Sequence, residues 1–199
     1  ISIQSVRQLE AKGLGHAILC AKRLIGKEPF SVILPDMLIS NDNGNASDSL
    51  QEMKLNFEKY EISSILLGKA KKADIPKYGI AQIKKNSKLP GLGVVEKIIE
   101  KPSIKKAPSN LYAVGRYIFS NDFFKYLSKV KPDKFNEIQL TDAIEHYIKD
   151  GKKVNAFPLE GDIFNCGDNA EYILANLEFA MKDPIMKSKI KNYLKTKQS

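Results

Sequence analysis

The chain has 199 residues, a hydrophobic fraction of 43% and a formal net charge of +9. This length suits one sizeable core, and the sequence lacks an apolar run of the roughly 18–20 residues that a membrane helix needs. The positive charge comes mostly from scattered lysines without interleaved aromatic residues, so we expect a polyanionic small ligand and no nucleic acid. Two distant cysteines, Cys20 and Cys166, and the absence of a secretory signal at residues 1–6 predict reduced thiols and a cytoplasmic protein.

The first 36 residues predict a strand, a helix and a second strand. Residues 1–6 alternate apolar and polar side chains, which is typical of a strand. Apolar residues at helical spacing over 14–24 predict a helix that stops at Gly26. The apolar run 30–34 predicts a buried parallel strand, so the three elements would form a βαβ unit. Asp36 then follows at the edge where open α/β sheets place ligands.

The rest of the chain predicts further strands and helices. The predicted strands are 62–67, 78–83, 94–99, Leu111–Phe119, 154–159 and 161–167; the predicted helices are 49–60, 121–130, a segment ending near Lys149, and Asn169–Lys182. Polar turn-forming residues predict a loop over 41–49. Residues 185–199 carry lysines without an acidic residue, which predicts a basic terminal helix or tail.

Seven short motifs occur together in one order along the chain. They are residues 6–17 (Val-Arg-Gln-Leu-Glu-Ala-Lys-Gly-Leu-Gly-His-Ala), 30–36 (Phe-Ser-Val-Ile-Leu-Pro-Asp), 100–102 (Glu-Lys-Pro), 107–111 (Ala-Pro-Ser-Asn-Leu), 114–117 (Val-Gly-Arg-Tyr), 136–143 (Asn-Glu-Ile-Gln-Leu-Thr-Asp-Ala) and 164–168 (Phe-Asn-Cys-Gly-Asp). The ordered set, spread over residues 6–180, resembles the sugar nucleotidyltransferase family, and within it the bacterial UTP–glucose-1-phosphate uridylyltransferases.

The resemblance implies an α/β fold of the Rossmann-like, glycosyltransferase-A type, in which helices flank a mixed sheet. It implies a partial nucleotidyltransferase domain over 1–182. Within it, 1–70 would be the remainder of the nucleotide-binding half and 71–182 the sugar-binding half. Residues 183–199 would be a separate basic helix or tail.

The resemblance also assigns nucleotide and metal ligands. Gln8 would bond the uracil edge, because a carboxamide both donates and accepts, and Gly13 would let the backbone approach the base. Asp36, a catalytic residue on this view, would ligate Mg²⁺ together with Asn165, since magnesium prefers carboxylate and other oxygen ligands. The alternatives are an exposed loop glutamine, a glycine that only starts a helix, and an aspartate that caps a strand end.

The sugar phosphate would be held by an acid and a base that follow one strand. Glu100 would bind sugar hydroxyls and the catalytic Lys101 the sugar phosphate, although neighbours on a strand point to opposite sides unless the chain bends. The alternative is a surface ion pair. The backbone of Gly79 would also contact the sugar. The pocket wall would comprise Asn110, Val114 and Gly115, whereas Arg116 could be structural and Thr141 or Asp142 could cap the following helix.

The implied reaction is in-line attack by glucose-1-phosphate on the α-phosphorus of UTP, which yields UDP-glucose and pyrophosphate. Alignment and charge neutralisation by Mg²⁺ and basic side chains would drive it without a protein nucleophile. Relatives self-associate, so a homo-oligomer is expected of the complete protein. The alternatives are a non-catalytic nucleotide-sugar binding or regulatory module, and a thymidylyl or other hexose-1-phosphate enzyme.

Three departures from the family pattern stand out. The family's Gly-x-Gly-Thr-Arg phosphate loop and its downstream Pro-Lys have no counterpart here, so we expect a chain that lacks the first strand and this loop. Such a sheet would expose an edge, and we expect poor solubility or marginal stability and no activity of the chain alone. Asn165 stands where relatives usually have an acidic residue, and Met37 replaces a frequent second aspartate. Both changes should weaken metal affinity.

Overall fold

The computed structural model describes residues 2–40 and 48–197. The loop expected over 41–49 therefore falls outside the described residues, except where a helix begins at Asp48. The chain divides into two units, Ile1–Ile33 with Ser49–Leu159 and Leu34–Asp48 with Glu160–Ser199. These bounds differ from the expected halves at 1–70 and 71–182, which are defined by ligands and stay a prediction.

Strands and helices alternate along most of the described chain. The strands are β1 (Phe30–Ile33), β2 (Met37–Ser40), β3 (Ser63–Lys69), β4 (Ile80–Lys84), β5 (Gly93–Ile99), β6 (Leu111–Phe119), β7 (Val154–Pro158) and β8 (Asp162–Asn165). The helices are α1 (Gly13–Ile25), α2 (Asp48–Tyr60), α3 (Phe123–Leu127), α4 (Leu140–Lys149), α5 (Asn169–Lys182) and α6 (Pro184–Lys197), with a 3₁₀ helix over Lys72–Lys77. The mixed α/β class predicted from the sequence is confirmed.

The first unit is built on a six-stranded sheet in the order β1-β6-β3-β7-β5-β4, and β6 also pairs with β4. β3 and β7 run parallel, whereas the other pairs are antiparallel. Strand β3, buried throughout except at Lys69, lies in the middle of the sheet, as its apolar sequence favours. The core contains many aromatic side chains, among them Phe119 stacked on Phe123 with ring centroids 3.8 Å apart. Helices α1, α3 and α4 contribute to this core.

Two expectations for the start of the chain are wrong. Residues 2–7 adopt no regular structure and lie largely exposed, with Ile3 89% exposed, because an alternating pattern forms a strand only where a neighbour offers its hydrogen bonds. β1 runs antiparallel to β6 rather than parallel to a preceding strand. It alternates buried Phe30 with exposed Ser31, as a half-covered strand does. Residues 2–34 therefore do not form the expected βαβ unit.

The second unit contains an antiparallel pair, β2 with β8, and helices α5 and α6. Asp168 caps α5 by accepting hydrogen bonds from the amides of Ala170 and Glu171 at 2.9 and 3.1 Å. The basic segment forms the helix α6, and each of its residues keeps part of its surface exposed. Across residues 2–40 and 48–197, no helix combines the length and apolar character that would let it cross a membrane.

Candidate functional site

Glu100 and Lys101 lie on the same side of the chain because the backbone bends directly after β5. Lys101 has a φ of +41°, in the left-handed region, and its amide donates to the Tyr78 carbonyl at 3.0 Å. The Lys101 ammonium Nζ lies 3.9 Å from Glu100 Oε1. On a regular strand these two neighbours would point to opposite sides, and the bend places both side chains on one side instead. A non-glycine residue in this conformation is strained, which is common at functional sites.

The Glu100 carboxylate is partly enclosed, with its side chain 26% exposed. Its Oε2 accepts a hydrogen bond of 3.1 Å from the Thr141 hydroxyl at the start of α4. Burial raises the pKa of Glu100 above its ordinary value; the Thr141 hydrogen bond and Lys101 oppose this, and the carboxylates of Asp142 and Glu137 add to it. The charge of the Glu100 carboxylate therefore depends on burial and on these few neighbouring groups.

A buried phenol lies close to this carboxylate. Tyr117, on β6, is 4% exposed. Burial strongly raises the pKa of Tyr117, and the negative charge of Glu100 adds to the effect. The phenol therefore stays neutral.

Gly79 packs directly against the same pair of side chains. A Cβ at this position would stand 2.8 Å from Thr141 Cγ2 and 3.2 Å from Glu100 Oε2. The Gly79 carbonyl accepts from the Ala113 amide at 3.0 Å, and Ala113 pairs with Leu67 near the carboxyl end of β3. The structure thus brings Gly79, Glu100 and Lys101 together near an edge where α/β sheets bind ligands, and the sugar-binding role that the resemblance implies for them stays a prediction.

The three residues expected to wall the sugar pocket share one stretch of chain along β6. The Asn110 carbonyl accepts from the Ala70 amide at 2.8 Å, directly after β3 ends. Gly115 has a φ of +73°, and the pairing between β3 and β6 shifts register around it, so glycine suits this bulge. Val114 has no exposed surface. A direct contact between Val114 and a sugar would require its cover to open, and its role stays a prediction.

Gln8, in the segment before α1, and Gly13, the first residue of α1, are joined by a hydrogen bond. The Gln8 amide Nε2 donates to the Gly13 carbonyl at 3.1 Å and lies 2.9 Å from His16 Nδ1, which accepts if the proton of the neutral ring is on Nε2. Gly13 has a φ of +80°, and a Cβ there would stand 2.9 Å from the Glu137 Cβ. Gly13 therefore has a packing role whether or not it approaches a base.

The two expected metal ligands come together in the second unit. The Asp36 carbonyl accepts from the Cys166 amide at 2.7 Å, which fixes the turn before β2 against the turn after β8. Asn165 Oδ1 and Asp36 Oδ2 lie 3.1 and 3.7 Å from the point where a Cβ on Gly167 would stand. Asn165 Oδ1 already accepts from the Gly167 amide at 3.1 Å, but a carbonyl oxygen has a second lone pair.

The two oxygens of Asp36 and Asn165 are few protein ligands for a metal site. Within the described parts of the chain, no three His, Cys, Asp or Glu side chains cluster as metal ligands. Met37, in the position of the second aspartate, pairs with Asn165 across the two strands and is 6% exposed. One carboxylate and one amide oxygen still suit Mg²⁺, which keeps several waters and takes substrate phosphates as further ligands.

The sequence leaves the role of Thr141 open between a helix cap and another use. Thr141 does not cap its helix: the N-cap position of α4 belongs to Gln139, whose amide donates to Asp133 and Glu137. The Thr141 hydroxyl binds Glu100 instead. No local pattern connects two residues that are far apart in the chain. Their neighbourhood arises only when β5 is placed against α4.

Comparison with known proteins places the chain in a family. Residues 1–180 match the family model described as nucleotidyl transferase. A UTP–glucose-1-phosphate uridylyltransferase of Haemophilus ducreyi is 39% identical over 184 residues, which cover 92% of this chain and 62% of that protein. The chain thus spans less than two thirds of that relative's length.

Solved structures agree with this placement. A UDP-glucose pyrophosphorylase complexed with UDP-glucose superposes with a TM-score of 0.81 at 39% identity, over 89% of this chain and 66% of that one. A UTP-bound UGPase from Acinetobacter baumannii gives a TM-score of 0.83 at 31% identity, over 98% of this chain and 65% of that one. The chain therefore belongs to the nucleotidyl transferase family.

Proposed function

We propose that this chain provides the sugar-phosphate site and part of the nucleotide site of an enzyme that converts UTP and glucose-1-phosphate to UDP-glucose and pyrophosphate. The observation that carries the proposal is the bend after β5, which turns Glu100 and Lys101 to one side beside Gly79. The similarity to a UDP-glucose pyrophosphorylase complexed with UDP-glucose supports the choice of substrates.

The sugar phosphate would bind with its hydroxyls on Glu100 and its phosphate on Lys101. A carboxylate accepts hydrogen bonds from sugar hydroxyls, and an ammonium attracts a phosphate dianion. Lys101 is well exposed, with 59% of its side chain accessible, so it can turn from Glu100 toward a ligand. Asn110 and Gly115 would border the sugar from β6.

The base would be read by the carbonyl oxygen of Gln8. Its amide nitrogen already has two partners in the first turn of α1, the Gly13 carbonyl and His16 Nδ1. Among the described residues, Gln8 Oε1 has no such partner. This oxygen can accept from the N3–H group of uracil.

Mg²⁺ would be held by Asp36 and Asn165, and the choice of this ion over another divalent metal is part of the proposal. When bound, the ion would neutralise phosphate charge, which is the main requirement of an in-line phosphoryl-group transfer. The Asp36 carboxylate supplies a full negative charge and Asn165 only a dipole, so we expect weak metal affinity. A cytoplasmic location and self-association of the complete protein also remain predictions.

The experiment is calorimetric titration of the chain with UDP-glucose and with glucose-1-phosphate. A matched control lies on the same strand, because Glu96 and Lys97 repeat the acid–base order at exposed positions of β5. We expect Glu100→Ala and Lys101→Met to weaken binding at least tenfold, and Glu96→Ala and Lys97→Met to leave it within twofold. Equal effects at both pairs would contradict the site.

Turnover separates the proposal from the non-catalytic alternative. The neutral Asn165, engaged by the Gly167 amide, is the observation that favours a binding or regulatory module. UDP-glucose formation that requires Mg²⁺ and is lost in Asp36→Ala, assayed in the complete protein, would support the enzyme. Tight UDP-glucose binding without turnover there would support the module.

A further inference from the structure

The Thr141 hydroxyl is almost wholly buried, and among the described residues it has a single hydrogen-bond partner, Glu100. Thr141 is 4% exposed, and its Oγ1 donates to Glu100 Oε2 at 3.1 Å. A buried hydroxyl without a partner is costly, and a hydrogen bond to a charged oxygen is stronger than one to a neutral group. The bond fixes one of the two carboxylate oxygens to the protein.

The absence of a side chain at Gly79 lets this pair form. A Cβ there would crowd both Thr141 Cγ2 and Glu100 Oε2, at 2.8 and 3.2 Å. The 2.8 Å distance is too short for any Cβ contact and the 3.2 Å distance is tight, so a side chain at Gly79 must displace the Thr141 methyl group and crowd Glu100 Oε2. Two independent positions, Thr141 and Gly79, therefore converge on the placement of one carboxylate.

We propose that Thr141 is a positioning residue that holds Glu100 through Oε2 and so leaves Oε1, beside Lys101, to accept a hydroxyl of the sugar phosphate. This inference rests on the proposed function, because it assumes that a sugar ligand uses Glu100. It adds Thr141 to the site and gives each carboxylate oxygen of Glu100 its own partner. Thr141 binds Oε2, and the ligand binds Oε1. The Lys101 ammonium lies 3.9 Å from Oε1, the Glu100 oxygen that is left for the ligand.

The same bond affects the charge that a sugar would meet. The groups that face Glu100 are Lys101 on its own segment, Asp142 and Glu137 from α4 and the segment before it, and Tyr117 from β6. Burial and the two carboxylates favour the protonated acid, whereas Thr141 and Lys101 favour the carboxylate. Removal of the Thr141 hydroxyl should therefore raise the pKa of Glu100.

The first test needs no substrate. Carboxyl NMR titration of Glu100, identified by its loss in Glu100→Gln, is measured in Thr141→Val, which keeps the shape but removes the hydroxyl, and in Thr141→Ser, which keeps it. We expect Glu100 to titrate at higher pH in Thr141→Val and as in the wild type in Thr141→Ser. Equal titration in all three proteins would overturn the inference.

The second test measures glucose-1-phosphate affinity as a function of pH. We expect roughly tenfold weaker binding in Thr141→Val, the scale of one hydrogen bond to a charged group, and affinity within about twofold of the wild type in Thr141→Ser. Gly79→Ala is the second variant, and it should weaken binding while Thr141 stays intact. Affinity unchanged in both Thr141→Val and Gly79→Ala would overturn the inference. Failure of the wild type to bind the ligand would count against the proposed function, and the titration of Glu100 would still decide the role of Thr141.

Discussion

At the residue scale, Gly13 and Gly151 illustrate two reasons why a position requires glycine, backbone conformation and close packing. They have nearly the same backbone conformation, with φ of +80° and +81°, but a Cβ on Gly13 would meet Glu137 and Ile138, whereas one on Gly151 would meet nothing within 4 Å. Gly151→Ala should lower the free energy of unfolding by about 1–2 kcal/mol through strain alone. Gly13→Ala should cost distinctly more, because the clash adds to the strain. Urea unfolding measures both, and equal losses would show that the contact at Gly13 is unimportant.

Glu100 also makes a prediction about stability and pH. Its folded-state pKa is raised, chiefly by burial, so the folded chain binds its proton more tightly than the unfolded chain. Stability from this group is therefore fully present below the ordinary value of 4.5 and is lost as pH rises through the folded-state pKa.

The variant Glu100→Gln should remove this pH dependence. We expect it to unfold at higher denaturant concentration than the wild type at neutral pH, and the difference should shrink as pH falls through the raised folded-state pKa of Glu100 and stay constant below about 4.5. Glu96→Gln, at an exposed position on the same strand, is the control and should show little difference. A wild type that is more stable than Glu100→Gln at neutral pH would contradict the burial argument.

The sequence predicts these residues unevenly. The nearness of Glu100 and Lys101 to Gly79 follows from the resemblance, but the physical pattern alone leaves the direction of Glu100 and Lys101 open. The bend at Lys101 is held by its hydrogen bond to Tyr78, which lies between the 3₁₀ helix and β4. Local sequence around Lys101 does not predict this bend, because its hydrogen-bond partner is determined by how the strands of the sheet pair.

At the element scale, helix α5 tests how much one cap contributes. Asp168 accepts from two amides of the first turn, at 2.9 and 3.1 Å. Asp168→Ala should destabilise the second unit by about 1 kcal/mol, whereas Asp168→Asn should cost little because both residues cap well. Amide hydrogen exchange at Ala170 and Glu171 reports the effect locally. Unchanged protection in Asp168→Ala would show that the cap is replaceable.

Element bounds follow from local sequence where burial is strong. The predictions for β6 and α5 agree with the structure residue for residue, because a long apolar strand and an apolar-faced helix leave little choice. Residues 1–6 and the direction of β1 were predicted wrongly. Both depend on which strand lies alongside, and periodicity carries no information about that neighbour.

At the scale of the whole molecule, the fold brings the expected sugar residues together from distant parts of the first unit. Gly79 comes from the start of β4, Glu100 from the end of β5 and Thr141 from α4. Asp36 and Asn165 meet in the second unit. The resemblance assigns ligand roles to Gly79, Glu100, Asp36 and Asn165, and these roles stay predictions. The structure adds the Thr141–Glu100 hydrogen bond and the packing role of Gly13, which depend on contacts between elements.

The most direct test of the central claim is a crystal structure of the chain with UDP-glucose. We expect the glucose ring beside Gly79, a glucose hydroxyl on Glu100 Oε1, the sugar-linked phosphate near Lys101, and the Thr141–Glu100 hydrogen bond intact. The claim would be contradicted by UDP-glucose bound away from β5 and α4, or by a glucose ring that leaves Glu100 and Lys101 untouched.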